Sequence, residues 1–261
     1  MKQIGLKFWS INEDYIDESL KLYAEGYFNY IELYVVPRSY QKHIDLWRNL
    51  REKHHIPFII HAPHFAHAFN LAKKEYFNSN VNIYQEVKRF ADTLAVKFII
   101  FHGGVDGDIE ETARQLKSLD EPGALIENKP YKALPNNMGA NICRGYNIEE
   151  IHYVLEQAKC GFCLDIGHAI CSANSQKKEI YAYVDEFMEL KPLMFHLADS
   201  DDINSEFDSH AHLGRGNLDM ARIVNKIPNN AMITIETNKN ADMSLDDFRE
   251  DVNSIRNGQH D

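Results

Sequence analysis

The sequence predicts an α/β fold, a single-domain (β/α)₈ TIM barrel over residues 1–261, on three observations. Short apolar runs alternate with longer amphipathic stretches from one end of the chain to the other. There are eight such runs, the number a closed parallel barrel uses. Each is nearly continuous in apolar character, as parallel strands covered on both faces are.

The first run, Ile4–Trp9, is followed by Asn12-Glu13-Asp14, residues suited to a helix start, and by an amphipathic stretch over Tyr15–Ala24. The second, Tyr30–Val36, precedes a helical pattern over Tyr40–Arg51. The third, Pro57–His61, precedes a helix on which Val81, Tyr84, Val87, Ala91 and Leu94 recur every three or four residues. The fourth is Lys97–His102. The fifth, Ala124–Asn128, leads into a polar segment, Lys129–Gly145, with Pro130, Pro135 and Gly139. That segment reads as a long loop at the strand-end face, where active-site loops gather. A helix over Ile148–Ala158 follows. The sixth run, Gly161–Ile166, is succeeded by a helical stretch at Ile180–Leu190, and the seventh, Leu193–Leu197, by one at Leu218–Val224. The eighth, Ala231–Glu236, leads to Ser244 as a helix start and Leu245–Ile255 as the last helix. An open doubly wound sheet would carry a glycine-rich phosphate loop after its first strand, and GLKFWSINED has none.

Composition fits this reading. The chain is 44% hydrophobic and 26% charged, enough apolar material for one large core. No Pro/Gly/Ser-rich linker divides it. No apolar stretch reaches the roughly 20 residues of a membrane span. The amino end lacks the apolar run and cleavage site of a signal peptide, so a cytoplasmic location is expected. Of the four cysteines, Cys160 and Cys163 form a C-x-x-C. Cys163 lies inside the apolar run GFCLDI and no second pair follows, so buried, reduced thiols are expected. The formal charge of −11 lowers the expectation of a nucleic-acid partner, whose phosphates call for a basic face.

Barrel strand ends converge on one rim, and here they carry ionisable residues. Glu32 lies in the second strand. The third ends in His61-Ala-Pro-His64, the fourth in His102-Gly-Gly and the fifth in Glu127-Asn-Lys129. The sixth ends in Asp165-Ile-Gly-His168 and the seventh in His196-Leu-Ala-Asp199, followed by Asp208-Ser-His210 and His212-Leu-Gly-Arg215-Gly. The eighth ends in Glu236. Imidazoles and carboxylates are the usual nitrogen and oxygen ligands of Zn²⁺ and Mn²⁺. So many of them in one mouth repel and desolvate one another unless a cation compensates. His54-His55, His152 and His260 read instead as surface or tail residues.

Taken together, H-A-P, H-G-G, D-x-x-H, H-L-x-D-S, D-x-H-x-x-x-G-x-G and the terminal Glu resemble the xylose-isomerase-like superfamily, and within it the endonuclease IV branch (AP endonuclease family 2). The resemblance runs from the third strand to the eighth. It implies up to three divalent metals, most simply Zn²⁺, held by His61, His102, Glu127, Asp165, His168, His196, Asp208, His210 and Glu236, with His64 an alternative at the third strand. It further implies phosphodiester hydrolysis by a metal-activated hydroxide, with abasic or damaged DNA as the family substrate and Glu127 and Glu236 as the catalytic carboxylates. His64, Lys129 and Arg215 are the candidate substrate contacts. The opening strand IGLKFWS and the segment YVVPRSYQ depart from the family's pattern, and no DNA-gripping loop is evident. The alternative within the superfamily is a sugar or sugar-phosphate isomerase or epimerase. It would hold one Mn²⁺, Mg²⁺ or Co²⁺ on Glu127, Asp165, His196 and Glu236 and use Glu127 and Glu236 to move a proton.

Overall fold

The computed structural model describes residues 2–135, 139 and 141–257; His260 lies outside them. The strands are β1 (Gln3–Trp9), β2 (Tyr30–Tyr34), β3 (Phe58–His61), β4 (Ile99–His102), β5 (Ala124–Glu127), β6 (Gly161–Asp165), β7 (Met194–Leu197) and β8 (Met232–Ile235). Every neighbouring pair is parallel, and β8 pairs back onto β1 to close the barrel. The intervening helices are α1 (Ile16–Ala24), α2 (Tyr40–His54), α3 (Phe77–Leu94), α4 (Ile109–Ser118), α5 (Ile148–Ala158), α6 (Ile166–Gln176), α7 (Ile180–Met188), α8 (Met220–Lys226) and α9 (Asp246–Asn257). No helix among the described residues is long and apolar enough to cross a membrane.

Alternate residues of a strand face opposite sides. One set, including Leu6, Phe8, Ile31, Leu33, Ile60, Phe101, Ile126, Phe162, Leu164, Phe195 and Ile233, packs outward into the large core shared with the helices. The other set, Tyr30, Ile59, Ile100, Leu125, Cys163 and Met194, fills the barrel's interior as a second cluster. Gly5 belongs to this inward set. A Cβ there would collide with the Tyr30 ring, so the absence of a side chain makes room for an aromatic one. The four cysteines are free thiols, and Cys163 is one of the interior fillers.

Several element boundaries differ from the sequence reading. A 3₁₀ turn, Glu13–Tyr15, precedes α1, and α8 and α9 begin two and one residues later than Leu218 and Leu245. Ile166 is the first residue of α6 and does not extend the sixth strand. Helices α4 and α6 are not among the stretches anticipated from periodicity. The buried face of α4 carries Thr112 and Gln115 beside Ala113 and Leu116. Helix α6 is buried over Ile166–Ala173, so it has no polar face for a period to register against.

Candidate metal centre

The site residues arise from the same alternation that fills the barrel. Two residues beyond Tyr30, Ile59, Ile100, Leu125, Cys163 and Met194 stand Glu32, His61, His102, Glu127, Asp165 and His196. Each strand thus places one apolar side chain in the interior and its next inward side chain at the mouth. Thr234 and Glu236 repeat the pattern at β8, and Gly5, Lys7 and Trp9 repeat it at β1.

Backbone contacts lock the donors in orientation. His61 Nδ1 donates to the Ala62 carbonyl at 2.8 Å, which leaves its Nε2 lone pair facing Glu127 Oε2 at 3.0 Å. His168 Nδ1 lies 3.0 Å from the Asn128 carbonyl, with its Nε2 3.4 Å from Asp208 Oδ2. His196 Nε2 lies 2.9 Å from Glu32 Oε2, which also accepts the Thr234 hydroxyl proton at 2.6 Å. Its Nδ1 then faces Glu236, Glu127 and Asp165 at 2.8, 3.4 and 3.9 Å. Asp165 caps α6 through the His168 N–H at 2.7 Å. Asn128 ties β5 to β6 with reciprocal bonds to the Asp165 backbone at 2.8 and 2.9 Å.

The donors fall into overlapping sets whose ligand atoms lie within 4.8 Å of one another: Glu32, His61, His196 and Glu236; His61, His102 and Glu127; Glu127, Asp165 and His196; Asp165, His168 and Asp208. His61, not His64, is the third-strand histidine that meets the other donors. His64 stacks on His102 with ring centroids 5.7 Å apart, and its Nδ1 accepts the Ala66 N–H. His210 stands at the edge of the last set, its Nε2 3.5 Å from Asp208 Oδ2. Lys129 Nζ points among the donors, 3.1 Å from Glu127 Oε1 and 3.2 Å from His168 Nε2. Arg215, half-exposed, pairs with Glu250 and lies 3.6 Å from Asp247, outside the cavity lining. His212 is held between Asp251 and Asn240 in a structural role.

Lys7 is a site residue that the strand-end survey passed over. Its ammonium pairs with Glu32 at 2.9 Å and with Glu236. Its place at the mouth follows from the strand's parity, two residues beyond the inward-facing Gly5. Asp199 explains the D-S and G-x-G pieces of the motifs. It is buried and accepts the N–H groups of Ser200, Gly214, Gly216 and Leu218 at 2.8–3.1 Å, folding the loop that carries Asp208 and His210. A Cβ at Gly216 would strike the Asp199 carboxylate.

The electrostatics follow from burial opposed by neighbours. Burial alone would raise Glu127, yet His102, Lys129 and His196 hold it well below the usual carboxylate range. Glu236 is likewise held low, against burial, by His196 and Lys7. Asp165 is pushed up to about 6 by burial, opposed by His168 and reinforced by Asp208 and Glu127. Burial would lower His196, but Cys163, Glu236 and Glu32 carry it well above its ordinary value. Burial, with Lys129 and His61 adding, lowers His64 to about 3.

Divalent cations fit this donor set. His196 Nδ1, Asp208 Oδ2 and His210 Nδ1 are buried without a hydrogen-bond partner among the described residues. The first of these faces three carboxylates, an arrangement that a cation relieves. Above the donors opens a cavity of about 310 Å³. Its wall includes Trp9, Tyr34, Phe65, Leu134 and Phe207 besides most of the donors, Glu127 and Glu236 among them, and Lys7, Lys129 and Lys132.

A family model described as xylose isomerase-like TIM barrel matches residues 21–257. A probable endonuclease 4 of Thermoplasma volcanium is 27% identical over 165 residues, which are 59% of this chain and 58% of that protein. The match therefore spans under two thirds of that relative's length. Among solved structures, endonuclease IV of Thermus thermophilus superposes with a TM-score of 0.70 at 19% identity, covering 98% of both chains. A D-tagatose 3-epimerase-like protein superposes with a TM-score of 0.72 at 18% identity, covering 98% of this chain and 97% of that one. At these identities the two structures attest the fold and not the reaction.

Proposed function

This chain belongs to the xylose isomerase-like TIM barrel family, and from that premise we propose that it is a metal-dependent hydrolase of phosphodiesters. One observation carries the reading. Glu127 and Asp165 each belong to two donor sets, and this linkage of the sets supports a multinuclear centre over a single isolated site. His61, His102 and Glu127 would hold one ion, and Asp165, His196 and Glu236 with Glu127 a second. His168, Asp208 and His210 would hold a third. Nitrogen and oxygen donors in this ratio suit Zn²⁺. Bound there, such ions would lower the pKa of water and neutralise the charge of a phosphodiester.

The chain's own residues supply the rest. Glu127, kept as a carboxylate, accepts a proton from the attacking water or orients it. Lys129 directs a fixed ammonium into the cavity beside Glu127, where it pairs with a substrate oxygen. Lys7 holds Glu236 and Glu32 from behind, so Glu236 faces the cavity in one orientation. His64, neutral and stacked on His102, is positioned to donate to an oxygen of the substrate. The motif resemblance to the endonuclease IV branch, with relatives named probable endonuclease 4, makes DNA with an abasic site the first polymer to try.

Hydrolysis of bis(4-nitrophenyl) phosphate by zinc-loaded protein tests the reading. Turnover is expected, and Glu127→Gln is expected to reduce it by about 10²–10⁴-fold. No turnover of this probe or of an abasic oligonucleotide, by protein carrying its full metal complement, contradicts it. A second reading, a sugar or sugar-phosphate isomerase or epimerase with one Mn²⁺ or Mg²⁺, draws on Glu127 and Glu236 lining the same small cavity. Activity on a ketose that survives replacement of His102 and Asp208 would select it.

A further inference from the structure

We infer that Trp9, backed by the buried ring of Tyr34, is a stacking platform for a planar ring beside the metal donors, so that the substrate is a nucleotide-sized phosphodiester bearing a nucleobase. This rests on the phosphodiester reading of the same site and adds the part of the substrate that does not react. Trp9 is 44% exposed, Leu134 54% and Phe207 36%. They are three of the six exposed large apolar side chains among the described residues, and all three line the one cavity over the donors. Scattered exposed apolar groups are ordinary; their gathering around a charged floor marks a ligand with an apolar part.

The platform is rigid. The Trp9 backbone N–H donates to Asn12 Oδ1 at 2.7 Å, and the indole lies 5.2 Å from the ring of Tyr34 and 6.0 Å from that of His67. Tyr34 is buried, and its hydroxyl lies 2.6 Å from His67 Nδ1 and accepts the His64 N–H at 3.1 Å. A fixed aromatic face loses little freedom when a ring settles on it. The Tyr34 ring is also 5.3 Å from the ring of His61, so the platform begins one ring away from a donor.

Charge argues for a short ligand. The lining holds three lysines and three carboxylates. Lys7 is enclosed by Glu32 and Glu236, and Lys132 pairs with Glu206. Lys129 is itself paired with Glu127, so none of the described lining lysines is left over for the series of phosphate contacts that holds a duplex. One phosphate over the donors and one base on Trp9 match the wall.

The test uses the full, zinc-loaded chain with thymidine 5′-monophosphate and 2-deoxyribose 5-phosphate, which differ by the base. Affinities are read by isothermal titration calorimetry, which serves the Trp9 variants as well as the original chain; Trp47 is fully buried, so quenching by the nucleotide that is lost in Trp9→Phe is assigned to Trp9. The nucleotide is expected to quench the emission and to bind about tenfold or more tightly than the sugar phosphate. Trp9→Ala is expected to bring the two affinities together, and Trp9→Phe to keep most of the preference. Equal affinities in the unaltered protein, or a preference untouched by Trp9→Ala, overturn the platform. A base preference without hydrolysis of bis(4-nitrophenyl) phosphate supports the platform and removes the phosphodiesterase reading. Hydrolysis without a base preference does the reverse.

Discussion

Lys7 shows how closely single residues set this site. Its ammonium is nearly enclosed between Glu32 and Glu236, and burial is outweighed by those two carboxylates and Glu127, so it stays charged. Replacing it with methionine leaves two buried carboxylates facing each other across His196. Breaking such a pair from one side costs about 3–5 kcal/mol. Lys7→Met is therefore expected to lower the urea midpoint of metal-free protein, and to lower it less after zinc loading, since a cation at Glu236 restores part of the lost compensation. Equal midpoints for the variant and the original in metal-free protein would show that Lys7 is not the counter-charge. The residues His61, His102, Glu127, Asp165, His196 and Glu236 were legible in the sequence because each stands at the end of an apolar run or one residue before it. Lys7 and Trp9 were not singled out because they share a run with Phe8 and Leu6, and only the inward parity fixed by Gly5 and Tyr30 separates the two faces.

At the scale of the element, the loop after β7 takes the part that a strand takes elsewhere. Asp208 and His210 lie on irregular chain, held in place by four backbone N–H groups converging on the Asp199 carboxylate. Asp199→Ala strands those four donors and frees the loop. The expected result is a folded barrel that has lost the donors Asp208 and His210, with metal content about one ion per chain below that of the original protein. Unchanged metal content would mean that the loop holds its shape without Asp199. The eight strands were predictable because parallel strands buried on both faces read as unbroken apolar runs. Helix α6 was hidden for the same physical reason, since burial on all sides removes the polar face that makes a helix visible.

For the molecule as a whole, closure of the barrel converts a linear order of residues into a ring of donors. Neighbouring strands bring His102 beside Glu127 and Asp165 beside His196 by register alone, and β8 returns Glu236 to the neighbourhood of Lys7. What no local pattern contained is the sharing of ligands. Glu127 is one residue in the chain, but it meets His61, His102, His168 and His196 from four other strand ends and Lys129 from its own. Whether that sharing builds a multinuclear centre is the central claim. Elemental analysis of freshly purified full-length protein, after removal of loosely held ions, tests it most directly. Close to three divalent ions per chain, falling toward two in Asp199→Ala, is the predicted result; a single ion per chain would contradict it and favour the isomerase reading.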